Sequence, residues 1–188
     1  MNVFKSILLA GVVAIPMAVS AKATDMAPAI PQDAPTTSGI YLRGDVGASY
    51  LSWSSATNNW GFTGGAGIGY QFDKNFRTDL TYDRSGTFSV APGASISTST
   101  VLGNVYYDWN NESPITPYLG AGVGYGWEWD NNGTQANNQG LAIGLAAGVA
   151  YDMTSNLALD VGYHFHDILA SGNSVPEHQA TIGLRFKF

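Results

Sequence analysis

Between Leu119 and Trp129 every second residue is apolar: Leu119, Ala121, Val123, Tyr125, Trp127 and Trp129 alternate with Gly120, Gly122, Gly124, Gly126 and Glu128. An extended strand puts successive side chains on opposite faces, whereas a helix would spread this pattern around its whole circumference. The run is therefore a strand with one apolar face and one face that carries almost no side chains. A chain that repeats such a segment has few ways to fold, because each strand needs partners for its backbone and an apolar environment for its bulky face.

The pattern recurs seven more times. Leu42, Val46 and Tyr50 oppose Tyr41, Arg43, Asp45 and Ser49, and Trp60, Phe62, Ile68, Tyr70 and Phe72 oppose Thr63, three glycines and Gln71. Phe76, Leu80 and Tyr82 oppose Arg77, Asp79, Thr81 and Asp83, and Val101, Val105, Tyr107 and Trp109 oppose Thr100, Asn104, Tyr106 and Asp108. Leu141 to Tyr151, Leu157 to Phe165 and Ala180 to Phe188 complete the set. Eight strands of period two predict an all-β fold, an eight-stranded antiparallel up-and-down transmembrane β-barrel.

A soluble barrel shows the same alternation, but it turns its bulky residues inward. Here the opposite face is Gly, Ala, Thr, Asp and Arg, which suits a narrow bore and not the exterior of a soluble domain. Aromatic residues gather toward the ends of the runs, as expected where a barrel crosses the two lipid–water interfaces. Short connections at 73–75, 110–116 and 152–156 alternate with longer polar ones at 52–59, 85–95, 130–138 and 167–175, matching periplasmic turns and surface loops.

The N-terminus carries Lys5, an apolar stretch from Ile7 to Val19 broken by Pro16, and Ala21-Lys22-Ala23. This predicts a signal peptide over 1–23, since the apolar run is shorter than the ~20 residues of a spanning helix. Residues 24–38, rich in Pro, Ala and Thr, read as a periplasmic tether, and 39–188 as the barrel. Export to the cell outer membrane follows. The chain has no cysteine and a net charge of −6, which removes thiolate chemistry and leaves no basic face for nucleic acid.

The block Gly39-Ile40-Tyr41-Leu42-Arg43-Gly44-Asp45-Val46-Gly47, the stretch Asn104 to Asp108, the run Pro117 to Tyr125 and the end Gly183 to Phe188 resemble the small outer-membrane barrels of Gram-negative bacteria. These are called porin-family or OmpA-like barrel domains, and they include major surface antigens and haemin-binding proteins. The resemblance covers the chain from Gly39 and implies a structural, surface-exposed, non-enzymatic role in the cell envelope. It also implies outer-membrane lipid, lipopolysaccharide and the barrel-assembly machinery as partners, with Phe188 as the assembly signal. It does not extend to a peptidoglycan-binding domain, and a monomer is expected.

The inward positions hold Arg43, Asp45, Arg77, Asp79, Asp83, Asp108, Glu128, Asp160, Arg185 and Lys187. In a narrow bore such charges must pair or keep water. A salt-bridged plug is expected, with Arg77 near Asp108 and Asp160 near Arg185. The alternative reading of the same residues is a narrow channel for ions or small solutes. His164 and His166, two residues apart on one face, together with His178, are the candidates for a haemin site. No cofactor and no metal site is expected. A lipid A-modifying enzyme would need a serine set beside a histidine and an acid, and no such spacing surrounds His164-Phe165-His166-Asp167.

Overall fold

The computed structural model describes residues 38–52, 59–91, 94–111, 113–130, 135–170 and 173–188. The signal peptide and nearly all of the tether lie outside these residues. Eight strands follow in order: β1 (Gly39–Leu51), β2 (Trp60–Gln71), β3 (Phe76–Ala91), β4 (Ala94–Asp108), β5 (Ile115–Asp130), β6 (Gln135–Asp152), β7 (Leu157–Ala170) and β8 (Asn173–Lys187). Each pairs antiparallel with its neighbours in sequence, and β1 pairs with β8, so no backbone edge is left open to lipid.

The register fixes the shape. Following paired residues from Gly39 through Gln71, Arg77, Tyr106, Gly120, Ala146, His164 and Gln179 returns to β1 at Ser49, ten residues above the start. With eight strands spaced ~4.8 Å apart and a rise of ~3.3 Å per residue, that stagger requires a tilt of about 41° and a backbone radius of about 8 Å. A bore of that width is filled by the side chains it encloses.

The faces separate as the alternation demands. Phe62, Val46, Leu80, Val105, Leu145 and Ile182 are among many large apolar side chains standing exposed around the outside. Such a belt is incompatible with water and is satisfied by hydrocarbon. Edge-to-face aromatic pairs mark its lower rim, with Phe76 and Tyr107 5.2 Å apart and Tyr107 and Trp109 5.1 Å apart. Tyr50 and Trp60, 5.2 Å apart, mark the upper one.

The periplasmic turns are short because side chains close them. Asp73 accepts the backbone N–H groups of Asn75 and Phe76 at 2.7 and 2.8 Å, and the Thr154 hydroxyl accepts that of Leu157 at 3.0 Å. The opposite ends depart from the sequence reading. β3 continues to Ala91 and β4 starts at Ala94, and β7 continues to Ala170 with β8 starting at Asn173, so most of the expected loops at 85–95 and 167–175 are strand. Likewise β6 starts at Gln135, inside the expected loop at 130–138. Two ribbons already paired lower down extend their ladder at little further entropic cost, and Ser and Thr side chains do not oppose it.

A register shift between Ser85 and Phe88 sets Gly86 and Thr87 against Ser97 alone. This β-bulge inverts the alternation, so Phe88, which would otherwise face lipid, is fully buried inside opposite Ile96.

Candidate functional site

The candidate site is the bore, which is layered from the periplasmic mouth upward. At the bottom Arg77 is 1% exposed, and its Nε donates to both oxygens of Asp108 at 3.0 and 3.1 Å. Its guanidinium carbon lies 3.8 Å from the ring centre of Tyr106 and 4.8 Å from that of Tyr118, two rings set edge to face, so the cation lies against both. Tyr118 donates to Asp160 at 2.6 Å, and Arg185 approaches the same carboxylate at 4.0 Å.

One level higher, Arg43 donates to Asp45 at 2.9 Å and to the Tyr106 hydroxyl at 3.1 Å, with Asp79 at 3.6 Å. Asp79 is further bonded by Tyr41 at 3.0 Å and Asn104 at 2.8 Å. Asp83 stands across Gly65 from Asp45: a Cβ at Gly65 would lie 2.3 Å from one carboxylate and 3.1 Å from the other. Small residues leave the space these long side chains occupy. At Gly69 the same construction meets the Tyr41 ring at 2.3 Å and a backbone oxygen at 2.5 Å.

Above this lies a buried carboxylate with neutral donors. Glu177 accepts hydrogen bonds from Ser85, from Thr98 at 2.6 Å and from Gln179 at 3.0 Å. Glu128 is also buried, while Lys187 is at the opposite, periplasmic end. At the top of the bore, about 30 Å above Gly39 at this tilt, the lining turns apolar. Leu51, Phe88, Ile168 and Val175 pack with Ala142, Leu102 and Ile96 into one cluster. The sequence reading placed only polar and small residues in the bore and missed this stopper.

Of the ten charged positions, Arg43, Asp45, Arg77, Asp79, Asp108, Asp160 and Arg185 thus fall into pairs and small clusters on one inward face, with Asp83 beside Asp45. The three histidines do not converge. His164 and His166 are buried inside, their ring centres 6.2 Å apart, whereas His178 is on the outer face and bonded to Tyr163 at 2.5 Å. The gap beside His164, His166 and Asn104 is about the size of one water, so a porphyrin has no room there. Among the described residues no group of three or more His, Asp or Glu side chains is placed to hold a metal. Phe188 follows β8 on the outer face and donates its N–H to Ile40 at 3.0 Å.

A closed barrel with a lipid-compatible exterior and a filled interior defines an integral outer-membrane β-barrel protein. The profile of the outer membrane protein β-barrel domain family matches residues 7–188. The chain belongs to that family, and it is an outer-membrane protein. The crystal structure of Neisserial surface protein A superposes with a TM-score of 0.71 and 26% identity, over 80% of this chain and 97% of that one. An uncharacterized protein of Brucella suis is 28% identical, over 72% of this chain and 70% of its own. The opacity protein opA67 of Neisseria gonorrhoeae is 23% identical, over 81% of this chain and 79% of its own.

Proposed function

We propose that the chain is a structural, surface-exposed barrel of the cell envelope with a closed bore, acting without catalysis and without conducting solutes. The observation that carries this reading is the filling. Ion pairs and hydrogen bonds occupy the lower two thirds, and Leu51, Phe88, Ile168 and Val175 close the top. An ion crossing this level would have to give up hydration against the apolar side chains. The histidines that a lipid A-modifying reading would use have other partners: His166 meets Gln179 and His178 meets Tyr163.

The test is reconstitution of the full chain in planar bilayers with haemin titration in parallel. No discrete, stable conductance steps and no change in the haemin absorption band are expected. Reproducible steps of a single size would overturn the closed-bore reading. Removal of an acyl chain from lipid A on expression, detected by mass, would overturn the non-enzymatic one.

A further inference from the structure

Arg84 is an outlier on the outer surface. It is exposed, it follows Leu80 and Tyr82 on the outward face of β3, and among the described residues it is the one Lys or Arg side chain on the lipid-facing belt. Eight residues above Phe76 at the barrel's tilt, it stands about 20 Å above the lower aromatic rim. The apolar band of such a barrel is about 25 Å tall, so a long side chain at this height reaches the outer headgroups. No described carboxylate lies within ion-pair distance of it.

A second observation falls on the same spot. Ser99 is paired in register with Arg84 on one side and Trp127 on the other. It occupies an outward position, yet it is 1% exposed, and its hydroxyl has no hydrogen-bond partner. A guanidinium and an unpaired hydroxyl therefore lie side by side at headgroup level. Gly64 flanks Arg84 on β2, and the rings of Tyr82 and Trp127, 6.3 Å apart, stand nearby.

We propose that Arg84 and Ser99 form a binding site for a phosphate group of an outer-leaflet saccharolipid, the phosphorylated headgroup of lipid A. The planar guanidinium engages two phosphate oxygens at once, the Ser99 hydroxyl donates to a third, and the aromatic rings cover the sugar and the first acyl carbons. The glycine on β2 leaves room for the headgroup to approach the wall. An acidic chain has no general attraction for an anionic leaflet, so one specific cation sets where that lipid sits.

The test uses the full chain folded in neutral detergent, with bound lipid counted by native mass spectrometry. The probes are bisphosphorylated lipid A, the same lipid with its phosphates removed, and inorganic phosphate as competitor. The wild type is expected to prefer the phosphorylated lipid about tenfold, the worth of one charge-assisted contact. Arg84→Gln is expected to lose that preference, Arg84→Lys to keep part of it, and Ser99→Ala to weaken it about threefold. Equal binding of both lipids by the wild type, or an unchanged preference in Arg84→Gln, would overturn the proposal. Displacement of the lipid by millimolar inorganic phosphate would also overturn it, by showing a free-anion site. The heat-induced shift in electrophoretic mobility verifies folding of each variant, and should Arg84→Gln not fold, Arg84→Lys and Ser99→Ala carry the same comparison.

Discussion

Asp108→Asn isolates the most buried ion pair in the bore. The Asp108 and Arg77 side chains are 4% and 1% exposed, so solvent screens the pair little. In the variant one amide oxygen replaces the two carboxylate oxygens at 3.0 and 3.1 Å, so the guanidinium keeps one neutral acceptor and loses the negative charge. It keeps the Tyr41 hydroxyl at 3.4 Å, the ring of Tyr106 at 3.8 Å and the Asp79 carboxylate at 4.0 Å. Removing one member of a buried pair costs about 3–5 kcal/mol, chiefly because the other charge is left uncompensated. The surviving contacts place this case at the low end, about 3 kcal/mol. The double variant Arg77→Met/Asp108→Asn removes the stranded charge along with the pair and is expected to lie within about 1 kcal/mol of wild type. Reversible urea unfolding in phospholipid vesicles, followed by tryptophan fluorescence, measures all three. An Asp108→Asn loss below about 1 kcal/mol, or a double variant less stable than the single one, would refute the reasoning.

Neighbouring inward glycines should respond differently to a methyl group. At Gly124 the added carbon would lie 1.9 Å from the Val101 backbone oxygen, while at Gly122 it meets the Asn104 carboxamide oxygen at 2.0 Å, a side chain that can swing aside by giving up its bond to Asp79. Gly124→Ala is therefore expected to cost about 2–3 kcal/mol and Gly122→Ala about 1–2 kcal/mol in the same unfolding assay. Tyr106→Phe removes the acceptor at 3.1 Å from Arg43 and is expected to cost about 1–2 kcal/mol with the fold unchanged by circular dichroism. Replacing Phe88 and Ile168 together by Gly takes two side chains from the stopper. Bilayer recordings are then expected to show current noise absent from the wild type, and a silent double variant would shift the closure to the charged layers below.

Much of this fold is written in period two. Runs such as Leu119 to Trp129 identify strands and also say which face meets lipid, because glycine and aspartate make no sense on the outside of a soluble barrel. The partnership of Arg77 with Asp108 is legible for a related reason, since both sit near the periplasmic ends of adjacent strands. Other features depend on quantities that the local pattern does not encode. The approach of Arg77 to the rings of both Tyr106 and Tyr118 requires the stagger of ten residues around the whole barrel, which emerges only from strand pairing. Phe88 falls in a stretch that reads as a loop, and the bulge that turns it into the bore is a property of strand pairing. Polar stretches such as 85–95 look like loops by composition, because Ser and Thr suit turns and exposed ladders equally well. His178 is one residue out of phase with His164 and His166 across the β7–β8 ladder, where Phe165 faces it and Glu177 faces His166, so the three point to opposite sides of the wall.

The extension of the ribbons beyond the membrane has a consequence for anything that meets the cell from outside. Along the β7–β8 ribbon, Ile168 and Val175 turn toward the axis and are buried, while Leu169 and Ser174 keep contact with the surroundings. A molecule approaching from the side meets Leu169 and Ser174 and does not reach Ile168 or Val175. Substitutions at the hidden positions change how the barrel is stoppered and leave its outward signature intact. On the closed-bore reading proposed above, the outward signature and the stopper thus occupy different residues of one ribbon.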